Sequence, residues 1–530
     1  MRDVISALYE RAADSPDQTF LHLLVDGRRE SVACAEALAR SLRWAALYRT
    51  RAIQPRSPVV IILRHSAELY FAFLGAMIAG LTPSFMPFPS AKQDPELYWA
   101  QHKAVFDRIG VGCVVTWPAN LAPLAEHCPG LPALTPEQLG ADGAGIMGPK
   151  AAPGDIAFLQ HSSGTTGLKK GVLLSYGAVA AQLERYAETL ALAPSDVVVS
   201  WLPLYHDMGL IACFMLPLTL GLPIVSLDAF EWAARPQLLL EAVAEHGGTH
   251  VWLPNFAFHH LVRTAPADLA VDLSGVKAFI DCSEPCRLET FELFEQAFAR
   301  LGVRRDQLRI CYAMAETVFA VTQTAAAAPI GELSLGGRAV PSVGRPIRDV
   351  ELSILDPDPQ SGVGEVAVKA PFLFSGYHRD PQQTARKLVD GWYRTGDLGL
   401  VQGGELYLFG RADDLLILNG RNVMAHDLEF AVNAQVPEVK PGRCIALGVF
   451  DAEAGSQELV IVAEAAAGAD ARSLARAVRA AVFNEVGLMP KQVRLVEPGW
   501  LVKTTSGKLA REQNLRKHMS TGARLAEPAQ

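Results

Sequence analysis

The 530-residue sequence has little of what marks several common classes of protein. Basic residues are not in excess: 48 Lys and Arg face 56 Asp and Glu, for a net charge of −8. That balance disfavours a dedicated nucleic-acid binder, which carries a basic excess on one face. The N-terminus is charged through its first turns and lacks the apolar core of a signal peptide. Long apolar runs are scarce. The stretch MGLIACFMLPLTLGLPIVSL, between Asp207 and Asp228, has 20 residues without a formal charge. It is interrupted by Pro217, Gly221 and Pro223 and flanked by acidic residues, so a buried helix followed by a buried strand is expected rather than a membrane span. Cysteines number eight, and the nearest pair, Cys282 and Cys286, has no matching second pair, which argues against a zinc site. Reduced, mostly buried thiols in a cytosolic protein are expected instead.

What is present is an ordinary globular composition, 50% hydrophobic and 20% charged, over a length that calls for two or more domains. Short β-branched runs alternate with longer amphipathic stretches from residue 40 to about 310, the pattern of an α/β fold with a largely parallel sheet. Strands are predicted at 59–63, 155–159, 196–201, 223–226, 250–253 and 276–280, and a helix over 67–80. From about Ser342 short strands and turns suggest a smaller β-rich subdomain. The last segment mixes strands at 444–450 and 459–463 with a helix over 471–486, where Leu474, Val478, Val482 and Val486 share one face.

The segment HSSGTTGLKKG at 161–171 follows a predicted strand and concentrates hydroxyls, glycines and lysines. Glycines let the backbone N–H groups approach an anion, hydroxyls donate to phosphate oxygens, and lysine supplies charge. The Walker A pattern GxxxxGKS/T cannot be threaded through it, which disfavours a P-loop kinase.

This segment resembles the phosphate loop of the adenylate-forming superfamily, which includes acyl-CoA ligases, fatty acyl-AMP ligases, luciferases and peptide-synthetase adenylation domains. The resemblance continues in order along nearly the whole chain, through SWLPLYHDMGLI at 200–211, DCSEPCR at 281–287, YAMAET at 312–317, WYRTGDLG at 392–399 with GRADD at 410–414, and KTTSGK at 503–508. SWLPLYHDMGLI and DCSEPCR look most like the fatty acyl-AMP ligase versions, and in YAMAET Ala313 stands where glycine is more usual. The architecture implied is a large N-terminal domain over 1–410, with parallel-rich sheets, helices and a β-rich subdomain. A hinge at 411–414 and a small mobile α+β C-terminal domain over 415–530 complete it.

The resemblance also implies roles. ATP and a carboxylate would form acyl-AMP and pyrophosphate, with Lys508 bridging the carboxylate and the α-phosphate. Ser163, Gly164, Thr165, Thr166 and Lys170 would hold the phosphates, and Thr166 with Glu316 would hold Mg²⁺. Tyr312 and Ala313 would lie against adenine, with Ser283 and Glu284 across from them, while Asp397 and Arg411 would take the ribose. His206 and Asp207 would stand at the mouth of an acid pocket lined by Asn255, Phe256 and Phe258, and Asp413 would be the hinge. Read without the resemblance, a lone GK lysine is a solvated turn residue, a lone histidine a satisfied structural group, and Phe256 and Phe258 are core.

The acyl acceptor expected is the phosphopantetheine thiol of a carrier protein. Relatives of that kind carry an extra segment after the aromatic–Glu motif, whereas Glu316 and Gly344 here are only 28 positions apart, which keeps free CoA as the alternative. A non-catalytic nucleotide- or acyl-binding relative is the reading from another class, and the joint presence of Lys508, Glu316, Asp397 and Arg411 argues against it. The identity of the acid is not legible.

Overall fold

The computed structural model describes residues 3–89, 94–140, 145–146, 148, 151–162, 170–326, 328–335, 338–418, 421–451, 456–465, 470–503 and 509–521. The described chain falls into two compact units. The first runs to Thr395 and takes in Leu400–Leu408; the second comprises Gly396–Gly399 and the chain from Phe409.

Nine described strands of the first unit form one sheet, ordered Arg345–Pro346, Ala320–Gln323, Leu308–Ala313, Ala278–Cys282, His250–Leu253, Val198–Ser200, Ile224–Leu227, Thr19–Val25 and Arg28–Ala33. Its centre is parallel and its two margins antiparallel. The buried central strands read as continuous apolar runs, as a sheet covered on both faces requires. A second, wholly parallel sheet is ordered Thr82–Phe85, Pro58–Ile61, Cys113–Val115 and Ala133–Leu134. The helix Ala67–Ile78 is apolar nearly all round because it is buried nearly all round. Its Phe73, fully buried, stacks on Phe85 at 4.6 Å, and its centroid lies 5.7 Å from that of Phe158 and 6.3 Å from that of Phe214. One ring thus ties together elements from four parts of the chain. A β-rich subdomain contains the antiparallel strands Glu351–Leu355 and Gly364–Lys369.

The second unit holds a hairpin (Leu415–Leu418 with Arg421–Met424) and a sheet of Val439–Asp451, Ser456–Ala465 and Gln492–Val496, with helices Ala425–Gln435, Ala471–Val486 and Arg511–Thr521. Leu474, Val478 and Val482 of its long helix enter the core, and Val486 packs at the margin.

The α/β class and most of the predicted elements are observed. The predicted 276–280 strand is displaced to Ala278–Cys282, because pairing with His250 begins only at Ala278. The 67–80 helix ends at Ile78, and Gly80 turns the chain with φ +74°. The stretch 208–227 is a buried helical segment followed by the strand Ile224–Leu227. All eight cysteines are buried and none is in a disulfide. Among the described residues no helix is long and apolar enough to cross a membrane.

Candidate active site

The strands Ile156–Ser162 and Lys170–Ser175 run antiparallel, pairing His161 with Gly171 and Ser162 with Lys170. The predicted phosphate residues Ser163, Gly164, Thr165 and Thr166 lie between them, outside the described residues, as does Lys508. Lys170 is described. A third short strand, Gly376–Tyr377, pairs on the other side of Lys170–Ser175, with Tyr377 opposite Val172. This pairing places the Tyr377 ring 5.2 Å below the Lys170 ammonium. The Tyr377 hydroxyl then donates to Glu316 Oε1 at 2.8 Å.

Glu316 is buried, with 8% of its surface exposed, in the single turn Ala315–Thr317. The backbone around it is unusual. Pairing of Leu308–Ala313 with Ala320–Gln323 shifts register between Tyr312 and Ala313. Val318 then adopts φ +63° and ψ −52°, with Phe319 N donating to Thr317 O at 2.7 Å. That is a γ-turn of the rare, strained kind, on a β-branched residue. Thr317 Oγ1 secures it by donating to Phe319 O at 2.8 Å. Bulges and strained turns concentrate at functional sites, where the surrounding structure holds them.

Tyr312, largely buried, is the penultimate residue of its strand, and Ala313, which ends it, is half-buried. The DCSEPCR segment continues the neighbouring strand, with Cys282 paired to Cys311. Ser283 is exposed and held at φ +79°. Glu284 Oε2 accepts from Phe256 N at 3.0 Å, so the carboxylate caps the helix Asn255–Thr264. Burial pushes the Asp281 carboxyl well above the usual carboxylate range. The Cys282 thiol is raised by its Cys311 neighbour, by burial and, to a lesser degree, by the charge of Asp207.

His206 is half-buried, its ring edge-on to Tyr205 at 4.8 Å. Asp207 Oδ1 accepts from Met208 N at 2.9 Å and opens the helix Met208–Met215. That helix has π geometry: Leu216 N donates to Ile211 O, five residues back. Sequence periodicity gave no sign of it. Gly209 packs directly on the preceding loop; a Cβ there would stand 2.4 Å from Pro203 O. Asn255 Oδ1 is buried without a hydrogen-bond partner among the described residues. Phe256 is 45% exposed, whereas Phe258 is fully buried against Phe291 and Phe294. A cleft lined in part by His65, Phe85, Trp201, Tyr205, Asp228 and Phe230 lies beside the predicted acid residues: Tyr205 precedes His206, and the Trp201 ring centroid is 6.2 Å from that of Phe256.

In the second unit, Asp397 and Arg411 are brought together, with Arg411 Nη1 3.5 Å from Asp397 Oδ1. Asp413 is exposed in the turn Ala412–Asp414.

A family model described as AMP-binding enzyme matches residues 8–378. The chain belongs to the AMP-binding enzyme family. A long-chain-fatty-acid–AMP ligase, FadD26, of Mycobacterium bovis is 30% identical over 593 aligned positions, covering 100% of this chain and 99% of the relative. FadD23 of Mycobacterium tuberculosis, a ligase of the same description, is also 30% identical, over 92% of each chain. Among solved structures, one from a study of fatty acyl-adenylate ligases of E. coli and L. pneumophila aligns with a TM-score of 0.90 at 24% identity, over 99% of both chains. McyG A-PCP complexed with phenylalanyl-adenylate aligns with a TM-score of 0.88 at 20% identity, over 98% of this chain and 83% of that one.

The expected Mg²⁺ can be set against the residues present. Among the described residues no group of three or more His, Cys, Asp or Glu side chains could hold a metal ion. A buried carboxylate, Glu316, linked through Tyr377 to Lys170, fits Mg²⁺, which is ordinarily held by one or two carboxylates together with substrate phosphates and water. Tyr377, which joins the two, was not found from the sequence; a GY dipeptide 61 positions from Glu316 carries no signal of its own.

Proposed function

We propose that this AMP-binding enzyme activates a carboxylic acid, fatty or aryl, with ATP, forming acyl-AMP and releasing pyrophosphate. It then passes the acyl group to the phosphopantetheine thiol of an acyl carrier protein in the cytoplasm. The observation that carries this reading is the Lys170–Tyr377–Glu316 constellation at the end of the phosphate segment. A fixed cation and a metal-binding carboxylate are what a site needs to bring two anions together. Lys170, with Ser163, Gly164, Thr165 and Thr166, holds the β- and γ-phosphates. Mg²⁺, when bound by Glu316 and Thr166, neutralises charge on them.

Tyr312 and Ala313 face the adenine, Ser283 and Glu284 lie across from them, and the Asp397 carboxylate accepts from the ribose hydroxyls beside Arg411. His206 and Asp207 orient the incoming carboxylate, and Asn255, Phe256 and Phe258 line its pocket. Lys508 approaches for adenylation and withdraws for thioester formation as the chain turns about Asp413.

Free CoA as acceptor is the second reading. The span between Glu316 and Gly344 holds the strand Ala320–Gln323 and the hairpin pair Glu332–Leu335 and Arg338–Pro341, with little room for an extra segment. The test is mass spectrometry of products from ATP, Mg²⁺ and a panel of fatty and aromatic acids, run alone, with CoA, and with a phosphopantetheinylated carrier. Acyl-AMP consumed by the carrier and not by CoA supports the first reading. Ready acyl-CoA formation replaces it with the second.

A further inference from the structure

We infer that Tyr377 is a positioning residue that sets Glu316 for its metal and Lys170 for its phosphates, through two different parts of one side chain. The inference rests on the proposed roles of Glu316 and Lys170. Its geometric basis is that three remote segments converge on this tyrosine. The hydroxyl donates to Glu316 Oε1 at 2.8 Å, and the ring face lies 5.2 Å from Lys170 Nζ.

The backbone holds Tyr377 on both flanks. Ser375 N donates to Leu173 O at 2.8 Å and His378 N to Gly171 O at 2.7 Å, locking the segment to the strand that begins with Lys170. Tyr377 N donates to Thr384 Oγ1 at 2.9 Å. Phe374 N donates to Glu316 O at 2.8 Å, so the same segment grips the Glu316 backbone as well as its carboxylate.

The chemistry follows. A lone carboxylate must present an oxygen to the metal without swinging between rotamers, and fixing one oxygen by a neutral donor sets the direction of the other and keeps the negative charge. A second cation in that position would compete with the metal; a phenol does not. The aromatic face meanwhile steadies the ammonium through the negative face of the ring. The strained γ-turn at Val318 fixes the Glu316 backbone from the other side.

The test is calorimetric titration of the full-length protein with ATP, in Mg²⁺ and in EDTA, without any acid so that nothing turns over. Pyrophosphate is titrated in EDTA as a second probe. Wild type is expected to bind ATP more tightly with Mg²⁺. Glu316→Gln is the control for the underlying reading and abolishes that enhancement. Tyr377→Phe keeps the ring and loses the hydroxyl: the enhancement falls about tenfold, the worth of one hydrogen bond to a charged group. Its affinities in EDTA for ATP and pyrophosphate stay at wild-type level, which also reports a folded site. Tyr377→Leu loses the enhancement and weakens metal-free pyrophosphate binding as well. A full enhancement in Tyr377→Phe alongside its loss in Glu316→Gln overturns the inference alone. Equal losses with and without metal in Tyr377→Phe show a merely structural residue and overturn it too. An enhancement intact in Glu316→Gln, or absent in wild type, overturns the metal reading and the inference with it.

Discussion

Arg511 Nε donates to Asp414 Oδ1 at 2.8 Å, joining the first residue of the C-terminal helix to the residue next to Asp413. The same guanidinium donates from Nη1 to Glu429 Oε1 and to Ala446 O, each at 2.6 Å. Burial works against the charge of Arg511, but Glu429 and Asp414 more than offset it and hold its pKa above the ordinary guanidinium value. Removing the arginine leaves two carboxylates facing each other with little solvent. Arg511→Ala is therefore expected to destabilise the second unit by about 3–5 kcal/mol, the cost of breaking a buried pair from one side. Hydrogen exchange checks this: amides of the Ala425–Gln435 helix and the Val439–Asp451 strand should lose protection, while those of the nine-stranded sheet keep theirs.

Arg511 stands three positions after Lys508, so the anchor also bears on the proposed catalytic lysine. Lys508→Ala is expected to slow acyl-AMP formation by roughly 10²–10³-fold, the range for losing a charge-stabilising group in a reaction centre. Reaction of supplied acyl-AMP with the thiol should proceed at the wild-type rate. Separate single-turnover assays of the two half-reactions measure this; equal losses in both would contradict the withdrawal of Lys508 in the second step.

The motifs were legible because each concentrates unusual residues in a short window: hydroxyls, glycines and lysines at 161–171, or YHDMGLI at 205–211. The central strands were legible as apolar runs for the same reason. What was hidden depends on distant pairing. Thr19–Val25 and Arg28–Ala33 sit outside the predicted α/β region, yet they extend the main sheet through pairing with Ile224–Leu227, some 200 positions on. The second of them is half charged and mostly exposed, so it shows no buried-strand pattern. The tie between Tyr377 and Glu316 is hidden likewise, since it exists only once Gly376–Tyr377 joins Lys170–Ser175. The π geometry of Met208–Met215 was illegible because all eight residues are buried and apolar, leaving no polar face to mark the period.

Gly209 makes that π segment testable. Its missing Cβ lets the helix rest on Pro203 O, and Gly209→Ala would force the loop leading to His206 away by the overlap that a 2.4 Å contact represents. The expected cost is about 1–3 kcal/mol, as for other overpacked cores. Because the loop carries His206 and not the phosphate segment, the KM for the acid should rise while metal-free ATP affinity stays at wild-type level. Thermal unfolding together with steady-state kinetics in acid and in ATP separates the two effects.

His250 gives a pH dependence with a definite sign. It lies on the central strand His250–Leu253, 2% exposed, near the charges of Arg309 and of the ion pair that Lys277 Nζ makes with Asp196 Oδ1 at 2.7 Å. Burial lowers its pKa from 6.5 to about 4; Asp196 acts to raise it, and Lys277 and Arg309 act to lower it further. The folded chain therefore resists a proton that the unfolded chain accepts. The associated stability is present above pH 6.5 and is lost as pH falls toward the folded pKa, at about 1.4 kcal/mol per pH unit between the two. Between pH 7 and 5.5 this one residue should remove about 1 kcal/mol. Urea denaturation at both pH values measures it: His250→Gln should show a loss smaller by that amount than wild type, and an equal loss in both proteins would mean that His250 is protonated in the folded sheet.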